Sequence, residues 1–228
     1  MLMPRQTLRD ERGTTLIELV VGIAAGLVIL FAISMVLMVS LRESHRVSAR
    51  VDAVQRARMT LSKVMEELHS ACIAPQIAPI KEGTGTSITF IHQTGSDVVP
   101  KPIRSTISLS EGKLLQSDTL STGGTAPEWS WAANPSPSRV LMTGIGPTPL
   151  GGNIFTYYTY VNGQLSAPLT TVDEQTGKRV TQVHIAFTTE PSSTPVVDSH
   201  APASIQDTAT LRLTPPSFNP GAINLPCQ

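Results

Sequence analysis

A long apolar run near the amino terminus constrains this chain more than any other feature. Residues 19–41 include no charged side chain. A helix of about 23 residues rises roughly 34 Å, enough to cross a bilayer hydrocarbon core of about 30 Å. A signal peptide has a shorter apolar region, followed by a cleavage site and a change of composition, whereas here the helical pattern continues. The run therefore predicts a membrane-spanning helix.

The residues that flank the span predict its orientation. The segment before it carries three basic and two acidic residues, Arg5, Arg9, Arg12, Asp10 and Glu11. An excess of arginine favours a cytoplasmic location for the adjoining segment. We therefore expect a single-pass protein of the inner, cytoplasmic membrane, with everything after about Arg42 on the outer side.

An amphipathic segment continues the helix beyond the span. An apolar side chain recurs every seven positions, at Val47, Val54, Leu61 and Leu68. The charged residues assigned to the remaining surface are Arg46, Arg50, Arg56, Lys63 and Glu67. No proline occurs between Pro4 and Pro75, so nothing in the sequence stops the helix. The pattern predicts one helix over about residues 15–70, whose second half packs its apolar stripe on a folded partner.

After residue 75 the apolar period changes to two. Alternating or apolar segments, separated by Gly, Pro and Asn, are TSITFIH, RSTISLS, GKLLQS, NIFTYYTYV, VTQVHIAFTT and TATLRLT. They predict short strands in one antiparallel sheet with one face on the helix, which is an α+β fold. The stretches STGGTAPEWSWAANPSPS and TEPSSTPVVDSHAPAS favour exposed loops, and the glycine-rich GTGTS favours a turn.

The segment RGTTLIELVV, residues 12–21, adds a specific motif: a basic residue, a glycine, two small residues and LIE before the span. This order resembles the type IV pilin superfamily. The resemblance implies cleavage between Gly13 and Thr14 by a prepilin peptidase, followed by methylation of the Thr14 amine. It also makes Glu18 the fifth mature residue, which in that family pairs with the terminal amine of a neighbouring subunit and sets the register of a filament.

The resemblance divides the chain into four parts. It implies a cytoplasmic leader at 1–13, a membrane and filament-core helix at 14–41, an amphipathic helix at 42–74 and a β-rich extracytoplasmic domain at 75–228. Together these correspond to a pilin fold.

Two departures from the family pattern point away from a major fibre subunit. Thr14 replaces the usual phenylalanine or methionine, and the membrane helix lacks a proline. The late strands resemble minor pilins and pseudopilins of the PilW and GspJ type. A minor pilin of a type IV pilus or a pseudopilin of type II secretion is the implied function. The implied partners are the prepilin peptidase, other pilin subunits, an assembly platform protein and a cytoplasmic motor ATPase.

The two cysteines, Cys72 and Cys227, fall on the expected outer side, where disulfides form. Pilins often carry a disulfide near the carboxyl terminus, so the resemblance favours a bridge between them. Two free thiols, with Cys72 buried beside the helix stripe, remain an alternative.

Other constellations carry little chemistry. The dispersed histidines form no metal motif, and neither a phosphate loop nor a serine elbow is present in the sequence. Asp173 and Glu174 favour a polar hairpin loop. We therefore predict no enzyme activity, metal or cofactor, and the zero net charge argues against nucleic-acid binding. Trp129 and Trp131 either anchor a partner or fold back onto the sheet, and the second interpretation is preferred.

A different class of function stays open. The chain could remain uncleaved, as a membrane-anchored extracytoplasmic binding protein with a cytoplasmic amino terminus. Glu18 would then be a first-turn acidic residue favoured by the helix dipole, and Gly13 would be replaceable.

Overall fold

The structure is a computed structural model that describes residues 15–72, 77–93, 101–125, 128–146, 152–190 and 202–211. The chain divides into two compact units, Met1–Ser48 and Ala49–Gln228. Helix α1, Leu16–His69, contributes residues to both units. The predicted helix over residues 15–70 is therefore confirmed, within one residue at either end.

The second unit contains the strands and a short second helix. The strands are β1 (Ile80–Gly83), β2 (Ser87–Gln93), β3 (Pro102–Ser110), β4 (Lys113–Thr125), β5 (Glu128–Trp131), β6 (Arg139–Thr143), β7 (Ile145–Gly146), β8 (Phe155–Val161), β9 (Gln164–Leu165), β10 (Val180–Thr189) and β11 (Ala203–Thr210). Helix α2, Glu174–Gly177, precedes β10. The α+β class predicted from the sequence is confirmed.

The strands form two antiparallel sheets, so the prediction of a single sheet is wrong. The first has the order β1-β2-β3-β4-β5, with β6 also paired to β4. The second has the order β11-β10-β8-β9, with β7 also paired to β10. Gly144 separates β6 from β7 in a left-handed conformation, with φ of +74°. This conformation, which glycine adopts readily, lets the chain pass from one sheet to the other.

The second half of α1 and both sheets share one hydrophobic core. Its members from the helix are Ala57, Leu61, Val64, Met65 and Leu68. Large side chains from the sheets complete it, among them Ile88, Phe90, Ile107, Phe155, Tyr157, Val183, Ile185 and Phe187. The predicted apolar stripe is therefore correct at Leu61 and Leu68, and Val54 packs at its margin. It is wrong at Val47, which is 62% exposed.

Several loop predictions need correction. The predicted loop STGGTAPEWSWAANPSPS instead contains the end of β4 and all of β5. Residues Ser121 to Thr125 of β4 form an antiparallel pair with β5. The second predicted loop, residues 189–204, lies mostly outside the described residues, so that prediction is not tested there. Its first residue ends β10 and its last two begin β11, which pairs along its whole length with β10. Asp173 caps the single turn of α2 by accepting a hydrogen bond from the Thr176 N–H, so this segment is not a simple hairpin loop. The predicted turn at 83–87 is confirmed by a 2.7 Å hydrogen bond from Thr84 N to Ser87 O.

Candidate functional site

The first part of α1 presents apolar side chains on every face. None of its most apolar 18-residue window is buried. Leu16, Leu27 and Phe31, for example, are between 62% and 82% exposed. A helix satisfies its own backbone hydrogen bonds, which any segment within hydrocarbon must do. One amino-terminal helix is thus long and apolar enough to span a membrane.

Thr15 and Glu18 form a reciprocal cap at the amino terminus of α1. The Thr15 N–H donates to Glu18 Oε2 at 3.0 Å, and the Thr15 hydroxyl donates to the same oxygen at 3.1 Å. The Glu18 N–H faces Thr15 Oγ1 at 3.4 Å. This is the capping box that Thr-x-x-Glu favours, with two otherwise unpaired backbone donors satisfied. The sequence TLIE at residues 15–18 already fits a capping box, but the helix-dipole interpretation of Glu18 did not include it.

The cap leaves the Glu18 carboxylate able to bind a further cation. An ionised carboxylate offers about four acceptor positions on two oxygens, and both donors from Thr15 use Oε2. Pairing with an external amine is therefore compatible with capping. The predicted cleavage and methylation positions, Gly13 and Thr14, lie outside the described residues, so these assignments stay predictions.

A buried polar chain lies where the carboxy-terminal turns of α1 meet the first sheet; we define it as Glu67, Gln116, Asp118, Ser105 and His92. Gln116 Nε2 donates to Glu67 Oε2 at 2.8 Å and to Asp118 Oδ1 at 2.9 Å. Ser105 Oγ donates to the same Asp118 oxygen at 2.6 Å, and His92 Nε2 lies 2.8 Å from Ser105 Oγ. The sequence assigned Glu67 to the helix surface, which is wrong, because its residue is only 8% exposed.

The cationic side chain of Arg139 contacts the buried polar chain. Its guanidinium donates to Gln116 Oε1 at 2.8 Å and lies 3.6 Å from Glu67 Oε1. Burial raises the pKa of Glu67, and the Asp118 carboxylate adds to the rise, whereas Arg139 and Lys63 oppose it. Burial lowers the pKa of His92 to about 4, against a smaller opposing effect of Asp118. Within the buried polar chain, the acid Glu67 and the base His92 therefore both lie where burial disfavours their charged forms.

His92 is also next to the backbone junction between α1 and the sheet. Ala71 and His92 form an isolated antiparallel bridge, and the Cys72 N–H donates to Ile91 O at 2.8 Å. These contacts attach the segment after α1 to β2. His92 itself lies on β2 with its side chain buried.

Trp129 and Trp131 fold back onto the protein, as preferred from the sequence, although from a strand rather than a loop. They pack on a small cluster of Cys72, Ile77 and Ile91. Their rings lie 6.1 Å apart in an edge-to-face arrangement. The Arg104 guanidinium lies 5.1 Å from the centre of the Trp131 ring, which is cation–π geometry.

Cys72 is fully buried and disulfide-bonded. Its predicted partner, Cys227, lies outside the described residues, so the pairing itself stays a prediction. Across the described ranges no group of three or more His, Cys, Asp or Glu side chains is placed to hold a metal ion.

Comparison with known proteins supplies no family assignment. No protein-family model matches the chain, and no curated protein matches it.

Proposed function

We propose that the chain is a structural subunit of a type IV pilin-like filament, either a minor pilin or a pseudopilin. In this role a prepilin peptidase removes residues 1–13, and the apolar part of α1 leaves the membrane to pack among equivalent helices. The β-rich unit then faces outward and determines which subunits or partners it meets. The assembly platform and the motor ATPase supply the force for this transfer.

One observation carries the proposal: the sequence motif RGTTLIE stands at the start of an uninterrupted helix, which begins at Leu16 and is first apolar all round and then amphipathic. Helix α1 has 54 residues, and the described part of it contains no proline or break. Its apolar portion is exposed, whereas its amphipathic portion packs on antiparallel sheets. A simple membrane anchor needs the apolar portion and can use Glu18 as a helix cap, but it has no use for a glycine five residues before that glutamate.

Cleavage would give Glu18 a cationic partner. A carboxylate near the membrane interior is unfavourable unless it is paired, and the amine freed at Thr14 of a neighbouring subunit is a suitable cation. The low dielectric of a helix-packed filament strengthens that attraction. In this proposal Glu18 fixes the axial register of one subunit against the next.

The test is the amino-terminal sequence and intact mass of the protein extracted from membranes, from cells with and without prepilin peptidase. We expect the native chain to begin at a methylated Thr14 and the peptidase-deficient chain to retain residues 1–13. Gly13→Val should block cleavage in cells that contain the peptidase. Gly22→Ala is the matched control, because a side chain there meets no heavy atom within 4 Å. A leader retained in every background would contradict the proposal.

The cap geometry favours a second candidate, an uncleaved membrane-anchored binding protein. Thr15 satisfies the Glu18 carboxylate within the same chain, so no neighbouring amine is required. This candidate predicts that Gly13→Val changes neither the mass nor the membrane association of the chain. The same mass measurement therefore separates the two functions.

A further inference from the structure

The buried polar chain occupies the point at which α1 is joined to the first sheet. Glu67 contributes from α1, His92 from β2, Ser105 from β3, and Gln116 and Asp118 from β4. Four separate elements therefore meet through one continuous set of hydrogen bonds. His92, at one end of this set, also forms the backbone bridge with Ala71.

The hydrogen-bond directions define the protonation of His92. A serine hydroxyl carries one proton, and Ser105 donates it to Asp118 Oδ1. Ser105 Oγ must then accept from His92 Nε2, which places the proton of the neutral imidazole on Nε2. The other nitrogen, Nδ1, faces Ser70 Oγ at 3.5 Å, and that hydroxyl already donates to Glu67 O at 2.8 Å.

A second proton on His92 has no well-placed acceptor. The new Nδ1–H would point at Ser70 Oγ across a distance too long for a strong hydrogen bond. The added charge would sit on a residue that is 3% exposed. A buried charge without a direct hydrogen-bond acceptor is unfavourable, and the Asp118 carboxylate offsets only the smaller part of that cost, so protonation of His92 would favour a state in which this region is open to water.

We propose that the buried polar chain is an acid-sensitive latch, which joins the end of α1 to the first sheet at neutral pH and releases it when His92 is protonated. Release opens the Ala71–His92 bridge and loosens the cluster of Cys72, Ile77 and Ile91. Trp129 and Trp131 pack on that cluster and lose their packing at the same time. The latch is independent of the filament proposal, because it depends only on the second unit.

The direction of each pKa shift determines whether the stability of this region rises or falls with pH. The pKa of His92 falls from 6.5 to about 4 in the folded protein, so the open state takes up a proton first and stability is lost as the pH falls between these values. Glu67, whose pKa is raised, acts oppositely: its contribution is present at low pH and is lost as the pH rises through its folded pKa. Asp118, Arg139 and Lys63 are the other charged groups that face this region.

The experiment uses the full chain in detergent micelles between pH 7.5 and 4.5. Tryptophan emission reports the cluster, and hydrogen exchange of the Cys72 amide, corrected for its intrinsic rate, reports the junction. We expect the opening equilibrium to rise on the order of 10- to 100-fold between pH 7 and pH 4.5. A wild-type protein with no such rise would overturn the proposal.

His92→Gln tests the residue directly, because a glutamine amide can donate to Ser105 Oγ but does not titrate. We expect this variant to lose most of the acid response, while His184→Gln retains it. His184 is a matched control on β10, where its ring lies 2.9 Å from the Thr208 hydroxyl. A folded His92→Gln protein that keeps the full acid response would show the latch assignment to be wrong.

A second measurement covers the case in which His92→Gln does not fold. The ring protons of His92 in the wild-type protein, followed by nuclear magnetic resonance, should show no protonation in the folded state above pH 5. Protonation near pH 6.5 with unchanged tryptophan emission would overturn the proposal.

Discussion

Glu18 has two roles, helix capping and the proposed pairing with an amine, and single substitutions can separate them. Its carboxylate caps the helix through Thr15, and in the proposed filament it also pairs with an amine. A glutamine at this position keeps the capping geometry but removes the charge. A valine at Thr15 removes the capping hydroxyl but leaves the charge in place.

We therefore predict that Glu18→Gln abolishes filament assembly without preventing cleavage, whereas Thr15→Val is cleaved and still assembles. Loss of one hydroxyl from a helix cap reduces stability by only about 1 kcal/mol, which a packed filament tolerates. Shear fractions of cells, probed for the mature chain, measure assembly. Assembly of Glu18→Gln to the same level as Thr15→Val would show that the filament does not need the Glu18 charge and that Glu18 acts only as a cap. Absence of the wild-type chain from the shear fraction would favour the anchored binding protein.

Glu67 illustrates how burial can make a charged residue unfavourable at neutral pH. Its raised pKa means that the folded protein stabilises the protonated form. We predict that Glu67→Gln increases the free energy of unfolding at pH 7 by on the order of 1 kcal/mol and changes it little at pH 4. Urea denaturation at the two pH values measures both effects. A loss of stability at pH 7 would show that the interaction with Arg139 outweighs desolvation.

Residues such as Glu67 and His92 mark the limit of sequence interpretation. The heptad pattern located the packed face at Leu61 and Leu68, because apolar spacing is a local property of the helix. It could not reveal that a glutamate beside Leu68 meets Gln116, 49 residues away in sequence. Such pairs depend on sheet register, which periodicity does not specify.

Helix α2 and strand β1 approach each other more closely than any side chain at Gly177 would allow. A Cβ added there would lie 1.9 Å from the Ile80 carbonyl oxygen. This oxygen belongs to the backbone, so a strand or a helix must move to make room. Gly177 therefore sets the distance between the two elements.

We predict that Gly177→Ala destabilises the protein by about 2 to 3 kcal/mol through this backbone displacement. Gly123→Ala is the matched control, since its Cβ would have no heavy atom within 4 Å. We expect no loss of stability there. Urea denaturation followed by circular dichroism compares the two, and equal stability of the variants would contradict the predicted clash.

The alternation of apolar residues along the sequence predicted which segments are strands. It did not predict which strands pair with each other. The predicted segments around Ile107 and Ile185 are strands, because alternating apolar residues fit a half-buried sheet. Their division into two sheets depends on two features. The chain turns at Gly144, and β7 then pairs with β10, which is distant in sequence. The tryptophan-rich stretch was mistaken for a loop because its glycines and prolines are typical of turns.

At the scale of the whole molecule, the arginines on the two sides of the span have opposing effects on its orientation. The basic residues before the span are Arg5, Arg9 and Arg12, and those soon after it are Arg42, Arg46, Arg50, Arg56 and Arg58. Arginine count alone would place the second group in the cytoplasm. Arg46 pairs with Glu43 and Arg56 with Asp52, but acidic residues contribute little to this rule. Long domains, however, cross the membrane largely regardless of charge.

We predict that the β-rich unit lies outside, because the proposed cleavage after Gly13 requires a cytoplasmic leader. Protease added to intact spheroplasts should digest this unit, and a tag on the leader should be protected until the membrane is permeabilised. Replacing Arg5, Arg9 and Arg12 by glutamine should lower the correctly oriented fraction, because only the opposing arginines remain. The same change at Arg42, Arg46 and Arg50 is the control and should leave the orientation intact. A β-rich unit protected in intact spheroplasts would reverse the topology and exclude the filament role, whatever the state of Glu18.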